Sequence, residues 1–254
     1  YGLFTTSTSE SFTRNYTLTS TNTAEYKFSI GEKHNIVLLA GHESIINQYE
    51  GFGASSSGMT DNRVNNVDQG TKFEKPSYSF SENAYNSYFA RINYDFNDKY
   101  FFEATYRKDG SSLFGKNKRY ADFYSIGANW NAKRESFLED VEWLNKLNVR
   151  VSYGTTGNSG ISEYLANGLI GSGAQYNGKE TWGLSQVENP DLTWETVEST
   201  NIGINARLFD FVDVEVELYN KNTKDMLMEI PYSYATGFSG GWGNIGNMNN
   251  KGVD

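Results

Sequence analysis

Residues 146–157 read KLNVRVSYGTTG, with Leu147, Val149, Val151 and Tyr153 alternating with Asn148, Arg150, Ser152 and Gly154. A two-residue period places successive side chains on opposite faces of an extended chain, so this stretch is a strand with one apolar and one polar face. The same period recurs along most of the sequence. Ala24, Tyr26, Phe28 and Ile30 share a face, as do Ile36, Leu38 and Ala40. Tyr88, Ala90, Ile92, Tyr94 and Phe96 alternate with Phe89, Arg91, Asn93 and Asp95. Tyr124, Ile126, Ala128 and Trp130 align, and Val214, Val216 and Leu218 alternate with Asp213, Glu215 and Glu217. The pattern leaves two solutions for the apolar face. In a soluble sandwich it meets a second sheet. In a membrane barrel it meets lipid, and the polar face lines a wet lumen.

The spacing predicts strands over 21–30 and 35–52 joined at GEK (31–33), and over 84–96 and 100–108 joined at NDK (97–99). Strands follow over 123–130 and 146–157, then a hairpin of 195–209 and 212–222 around Asp210–Phe211, and a ninth strand from near Asn244. Between them the period changes once: Phe137, Val141 and Leu144 sit at i, i+4 and i+7, which predicts a short helix over Glu135–Leu144 on the same side as 97–99. The other connections are longer and rich in Gly, Ser, Asn and aromatic residues: 53–83, 109–120, 158–191 and 223–242. Strict up-and-down order puts 53–83, 158–191 and 223–242 together at one end, opposite 31–33 and 210–211. Membrane barrels sort their connections this way, with short periplasmic turns and long extracellular loops, and cross the bilayer with tilted strands of ~10 residues. Tyr94, Phe96, Tyr100, Phe102 and Trp130 cluster beside the compact turns, where an interfacial girdle would lie. The expected fold is therefore all-β: an antiparallel up-and-down transmembrane β-barrel portion with one short helix in a periplasmic turn. Single-chain bacterial barrels are even-stranded, and a barrel that holds a plug has ~22 strands, so about nine strands are part of a larger wall.

Composition narrows the function classes. The chain has no cysteine, so neither disulfides nor thiolate metal sites are available. A net charge of −9 argues against nucleic acid as a partner. The mean hydropathy is −0.62 and no long apolar run exists for a membrane-crossing helix, a test that a barrel escapes because only alternate residues face lipid. The sequence opens at YGLFTT without a basic or apolar leader and stops at NKGVD, and the expectation is an internal piece, residues 1–254 forming part of a single barrel domain.

The run INYDFNDKYFFEATYRKDGSSLFGKNKRYADFYSIGANW (92–130) resembles the barrel of SusC/RagA-like TonB-dependent transporters. LNVRVSYGTTGN (147–158), NPDLTWETVESTNIGIN (189–205), LYNKNTKDML (218–227) and NIGNMNNKGVD (244–254) fit the same family in the same order. The first 80 residues match loosely, through EKHNIVLLAGHE (32–43). The resemblance implies TonB-energised import of glycans or peptides across the outer membrane of a Bacteroidetes-type bacterium. It implies a SusD-like surface lipoprotein over the mouth and a TonB complex acting through a plug. The plug, TonB box and C-terminal strands of such a protein are absent from this stretch.

Tyr164, Tyr176, Trp182, Tyr232 and Trp242 fall in the long loops and are the candidates for contact with substrate or lid, because aromatic faces suit sugar stacking and protein packing. Tyr234 and Phe238 lie in the same loops, and Trp194 reads as a strand start. Arg150, Asn205, Arg207, Asp213, Glu215 and Glu217 are expected to face the lumen. Neighbours in the carboxylate row are ~7 Å apart, a spacing within glycosidase range, but on a barrel strand they read as a wetted wall. His34, in the expected 31–33 turn region, and His42 would lie ~26 Å apart along a strand, so no metal site is expected. DGSSLFGKN (109–117) lacks both calcium-loop spacing and GK[ST], and SYGTTGN (152–158) is a strand end and turn. No catalytic constellation and no cofactor site are expected. The competing reading is a soluble all-β carbohydrate-binding or adhesin-type module.

Overall fold

A computed structural model describes residues 6–61, 63 and 66–254, so the opening residues 1–5 and loop positions 62, 64 and 65 lie outside the described residues. Its strands are β1 (Ser7–Ile30), β2 (His34–Ser57), β3 (Lys72–Phe73), β4 (Ser77–Phe96), β5 (Tyr100–Ser111) and β6 (Tyr120–Asn131). After the single helical turn α1 (Ser136–Glu139) come β7 (Leu144–Asn158), β8 (Leu169–Tyr176), β9 (Lys179–Gln186), β10 (Glu195–Leu208) and β11 (Val212–Lys224). The last are β12 (Leu227–Pro231), β13 (Gly240–Asn244) and β14 (Met248–Val253). The main sheet runs β1-β2-β4-β5-β6-β7-β10-β11-β14 with β3 beside β2, and β8-β9 and β12-β13 are separate hairpins inserted into its connections. Nine consecutive sheet neighbours in chain order are the expected up-and-down meander.

The chain divides into two compact units: the described residues up to Thr19 with Ile45–Ala84, and Ser20–Ser44 with Tyr85–Asp254. The first is tied together by polar pairs, with Phe12, Leu18, Phe52 and Phe80 left exposed. Arg14 pairs with Glu50 at 2.5 Å, Asn47 Nδ2 donates to Asn83 at 2.9 Å, and Gln48 donates to Glu82 at 2.5 Å. β1 extends fourteen residues before the expected Thr21 start, and β2 and β4 extend into the expected 53–83 loop. In STSESFTRNYTLTS one face carries Phe12, Tyr16 and Leu18, in step with Tyr26, Phe28 and Ile30, but Glu10, Arg14 and Ser20 interrupt it, so the stripe is too broken for a period-based reading to extend the strand.

The second unit shows the alternation as continuous rows. Phe96, Tyr100, Trp130, Val149, Ile204 and Val216 face one another across successive strands. So do Tyr94, Phe102, Ala128, Val151, Ile202, Leu218 and Val253. One residue away the rows are Asp95, Phe101, Asn129, Arg150, Gly203 and Glu217, then Asn93, Glu103, Gly127, Ser152, Asn201, Tyr219 and Gly252. The apolar rows are left uncovered: Phe102 is 50% exposed, Val151 46%, Ile202 45% and Leu218 48%. Among the described residues these rows stay uncovered, as the barrel solution requires of a lipid-facing side.

The compact connections meet at one end. Asn97 N donates to Lys33 O, Asn131 N to Lys99 O and Phe209 N to Trp143 O. Asn97 and Asp98 take positive φ of 55° and 52°, the two-residue turn that suits strand twist. The 195–222 hairpin turns one residue earlier than expected, with Phe209 and Asp210 at φ 53° and 63°. A phenylalanine there is strained, and it is held by the Trp143 carbonyl, by the Trp143 ring at 6.2 Å, and by Asn145 bonding to Asp210.

The expected helix over 135–144 is real but short. A 3-10 turn (Ala132–Arg134) precedes α1, and Leu144 already belongs to β7. Lys133 Nζ donates to the carbonyls of Leu138, Glu139 and Val141, ending the helix after one turn; of the expected stripe Phe137 stays 68% exposed, and Leu144 is buried as part of β7. The turn lies beside 97–99 as expected: Arg134 pairs with Asp98 at 2.8 Å and Lys99 with Glu135 at 3.1 Å. The ninth strand of the sheet begins at Met248, because Gly240–Asn244 pairs with β12 instead.

Candidate functional site

The polar face of β7, β10 and β11 carries an ion network. Arg150 lies across Gly203 and reaches Glu215 at 2.5 Å and Glu217 at 3.0 Å. Arg207 sits 3.6 Å from Asp213 and donates to the Asp210 carbonyl. Asn205 pairs in register with Asn148, and the side-chain oxygens of both are buried without a donor among the described residues. The six residues expected on this face therefore share it. The carboxylate row is interleaved with guanidinium groups, which suits a charged wall and removes the isolated pair a glycosidase needs. Further along the same face, Arg107 pairs with Asp109 at 2.6 Å and Glu43 at 3.2 Å and lies 5.4 Å from the Phe89 ring centre. Sequence reading missed this cluster, since its members lie on β2, β4 and β5 and have no common spacing.

The long connections after β5, β7 and β11 meet at the opposite end from the compact turns. They are joined by a small core that the sequence reading also missed: Phe114, Phe123, Ala166, Leu192 and Trp194, with Trp242 packed against it. Leu192 is 0% exposed and Phe114 1%. The NPDLTW segment (189–194) is the keystone. Asn189 Nδ2 donates to the Trp242 carbonyl at 2.9 Å, Asn117 Nδ2 to Asp191 at 3.0 Å, and Trp194 Nε1 to the Arg119 carbonyl at 3.1 Å. Asn244 bonds both ways with the Thr193 backbone. Trp194 immediately precedes β10, where a strand start was expected. The 109–117 stretch is more than a permissive turn, since Phe114 anchors this core.

The five aromatic candidates divide. Tyr176 and Trp182, 79% and 73% exposed, stand on the β8-β9 hairpin. Tyr232 lies against Gly241 and Trp242 belongs to the loop core. Tyr164 takes a positive φ of 64° and its carbonyl accepts from Gln186 Nε2 at 2.8 Å. The structure thus offers two exposed rings, two packed within the loops, and Tyr164 held through its backbone. His34 opens β2 just after the turn, with Nδ1 2.8 Å from the Tyr94 hydroxyl, and His42 Nε2 is 2.7 Å from Asn86 Oδ1. Each imidazole is thus spent on a neighbouring strand.

At the compact-turn end the aromatic girdle is tied to one carboxylate. Glu135 accepts from the Tyr100 hydroxyl at 2.6 Å, Lys99 Nζ at 3.1 Å and Trp130 Nε1 at 3.3 Å. These donors, Tyr100 foremost, hold its carboxyl below the usual carboxylate range. Phe96 stacks on Tyr100 and Tyr94 on Phe102, both at 6.2 Å.

Comparison with known proteins agrees with this geometry. The family model described as TonB dependent receptor-like, beta-barrel matches residues 1–254. The TonB-dependent receptor P26 of Formosa agariphila is 35% identical over 91% of this chain, which spans 24% of that protein. The TonB-dependent receptor SusC of Bacteroides thetaiotaomicron is 32% identical over 71% of this chain, which spans 19% of it. A solved structure described as the RagAB peptide transporter superposes with a TM-score of 0.91 at 37% identity, covering 96% of this chain and 28% of its own. A siderophore receptor, PirA from Acinetobacter baumannii, shares the fold alone, with a TM-score of 0.61 at 17% identity. The chain spans about a quarter of the length of the curated relatives it matches. It belongs to the TonB-dependent receptor-like β-barrel family, among the SusC/RagA-like members.

Proposed function

We propose that this chain forms wall and outer loops of a TonB-energised nutrient importer in the outer membrane of a Bacteroidetes-type bacterium. The observation that carries this reading is the pair of opposed row sets: apolar rows uncovered on one face, charged and amide rows on the other. A bilayer is the medium in which uncovered Ile202, Ile204, Val216 and Leu218 are stable, and a wet interior is the medium for Arg150, Glu215 and Glu217. The long loops then face outward and the Glu135 turn faces the periplasm. Cargo is a glycan or a peptide, and the RagAB description supports peptide. A SusD-like surface lipoprotein is the expected lid, met by the exposed rings Tyr176 and Trp182. TonB acts through a plug in the complete polypeptide. The reading is of a transporter, with no cofactor.

The test is uptake by cells carrying the complete gene. Deletion should abolish growth on oligopeptides as sole nitrogen source and leave growth on free amino acids intact. Affinity purification of the full-length protein should bring down a lipoprotein. Unchanged growth on peptides with loss on a polysaccharide would move the cargo to glycan; no loss on either would end the import reading.

A further inference from the structure

Three glycines of the polar face lie directly beneath large side chains from the neighbouring strand, while Gly127 on the same face has only ordinary contacts. A Cβ at Gly41 would stand 2.4 Å from Cζ of Phe89, one at Gly203 would stand 2.6 Å from Nε of Arg150, and one at Gly252 would stand 2.6 Å from the Tyr219 hydroxyl. Real Cβ atoms essentially never approach below 3.0 Å, so a Cβ added at any of the three would force the overlying side chain to shift. Arg150 pairs directly with Gly203 and Tyr219 with Gly252 in the strand register. Gly41 alternates with Leu38 and Ala40 and so shares the face of Phe89. Gly157 beneath Phe123 belongs to the loop core, and Gly110 beneath Tyr120 is the same arrangement on the apolar face.

We propose that Gly41, Gly203 and Gly252 set the clearance of the lumen by letting Phe89, Arg150 and Tyr219 lie flat on the wall. A side chain standing perpendicular to a strand would project into the bore. Laid across a glycine, it covers the next strand instead, and Arg150 gains its bonds to Glu215 and Glu217 by that route. The three notches fall on β2, β10 and β14, so the clearance is kept at separate places along the wall. They act as positioning residues for whatever passes or fills the lumen, plug or cargo. This inference rests on the polar face being the lumen.

The test uses the full-length protein in its membrane, with single reporter cysteines replacing Arg91, two residues from Phe89, and Asn201, two residues from Gly203. Each reporter is treated with a small maleimide and with the largest maleimide conjugate that still labels the parent. Folded fraction is read by heat-dependent electrophoretic mobility. Gly41→Ala and Gly203→Ala should keep small-reagent labelling and lose large-reagent labelling. The double variants Gly41→Ala/Phe89→Ala and Gly203→Ala/Arg150→Ala should regain it. Large-reagent labelling unchanged in the folded Ala variants, or lost without recovery in the doubles, overturns the proposal. Phe89→Ala and Tyr219→Ala alone test it without altering a glycine: a flat ring blocks nothing, so labelling should stay at the parent rate, and a faster rate contradicts it. Failure of the lumen reading shows differently, as parent reporters closed even to the small reagent and quenched from the lipid.

Discussion

Leu192→Ala should loosen three outer loops at once while leaving the strands beneath them intact. Leu192 is fully buried beside Phe114, Phe123, Ala166 and Trp194, which come from the segment after β5, from β6 itself, from the segment after β7 and from the residue before β10. The substitution removes three carbons, about 2.4 kcal/mol of transfer free energy at ~0.8 kcal/mol per carbon. The cavity left behind raises this to about 2.7–5 kcal/mol, because backbone bonds such as Gly115 N to Leu192 O hold the surroundings open. The loops are water-exposed and separately knit, so the loss is a local opening. At the lower bound the opening equilibrium rises about 80-fold, at tenfold per 1.4 kcal/mol. Hydrogen exchange on the full-length protein should show faster exchange across 112–119, 159–194 and 225–247, with 196–224 unchanged. Acceleration confined to 189–195 would refute the keystone role, and acceleration through β10 and β11 would show that the core supports the wall as well.

Arg at position 204 should cost ~2–4 kcal/mol of folding free energy near the midplane, and Arg at 205 less than ~1 kcal/mol, since adjacent residues share depth and differ in face; equal costs by denaturant titration would remove the two-face account. Arg150→Gln should cost less than ~1 kcal/mol, because the Arg150 side chain is 42% exposed and its ion pairs are solvent-screened; a loss of several kcal/mol would place the network away from water. Glu135 has a lowered folded-state carboxyl pKa, so its contribution is present above the ordinary carboxylate value and fades as pH falls through the lowered one. Acid should therefore loosen the 97–99 and 132–143 turns before the loop core, and Glu135→Gln should remove that step; a step of the same size in the Gln variant would locate the titration elsewhere. Replacing Tyr176 and Trp182 together with Ser should leave the folded fraction unchanged and weaken capture of the surface lipoprotein or cargo, and full capture would release both from that role.

The wall was legible in the sequence because its signal is local. Each of the rows through Val149, Ile204 and Val216 exists as alternation within a single strand, and antiparallel pairing only lines them up. The compact turns were legible as short polar breaks, although the hairpin at Phe209 was placed one residue late because an aromatic in the left-handed region carries no turn signature. What escaped depends on long-range partners. β1 before Thr21 carries Phe12, Tyr16 and Leu18 on one face, broken by Glu10, Arg14 and Ser20, and shows itself through pairs such as Thr17 with Asn47. The hairpin β8-β9 hid in a Gly-rich stretch, with Leu169, Ile170 and Leu184 too scattered to make a period. The loop core joins residues from Phe114 to Trp242, and the Gly203 notch is visible only when Arg150 is laid beside it. Loop 53–83 belongs to the first unit, and its described strands and 3-10 turn replace part of the expected irregular run.

The most direct test of the two-face account is labelling at 204 and 205 in the full-length, membrane-inserted protein carrying no other cysteine. Ile204 stands in the row of Val149 and Val216, and Asn205 in the row of Asn148 and Glu215. Cysteine at 204 should resist a water-soluble thiol reagent, and a fluorophore attached there before insertion should be quenched by a lipid-borne spin label. Cysteine at 205 should react with the water-soluble reagent and escape lipid quenching. Equal lipid quenching at both positions, or none at 204, would show that the apolar rows do not meet a bilayer.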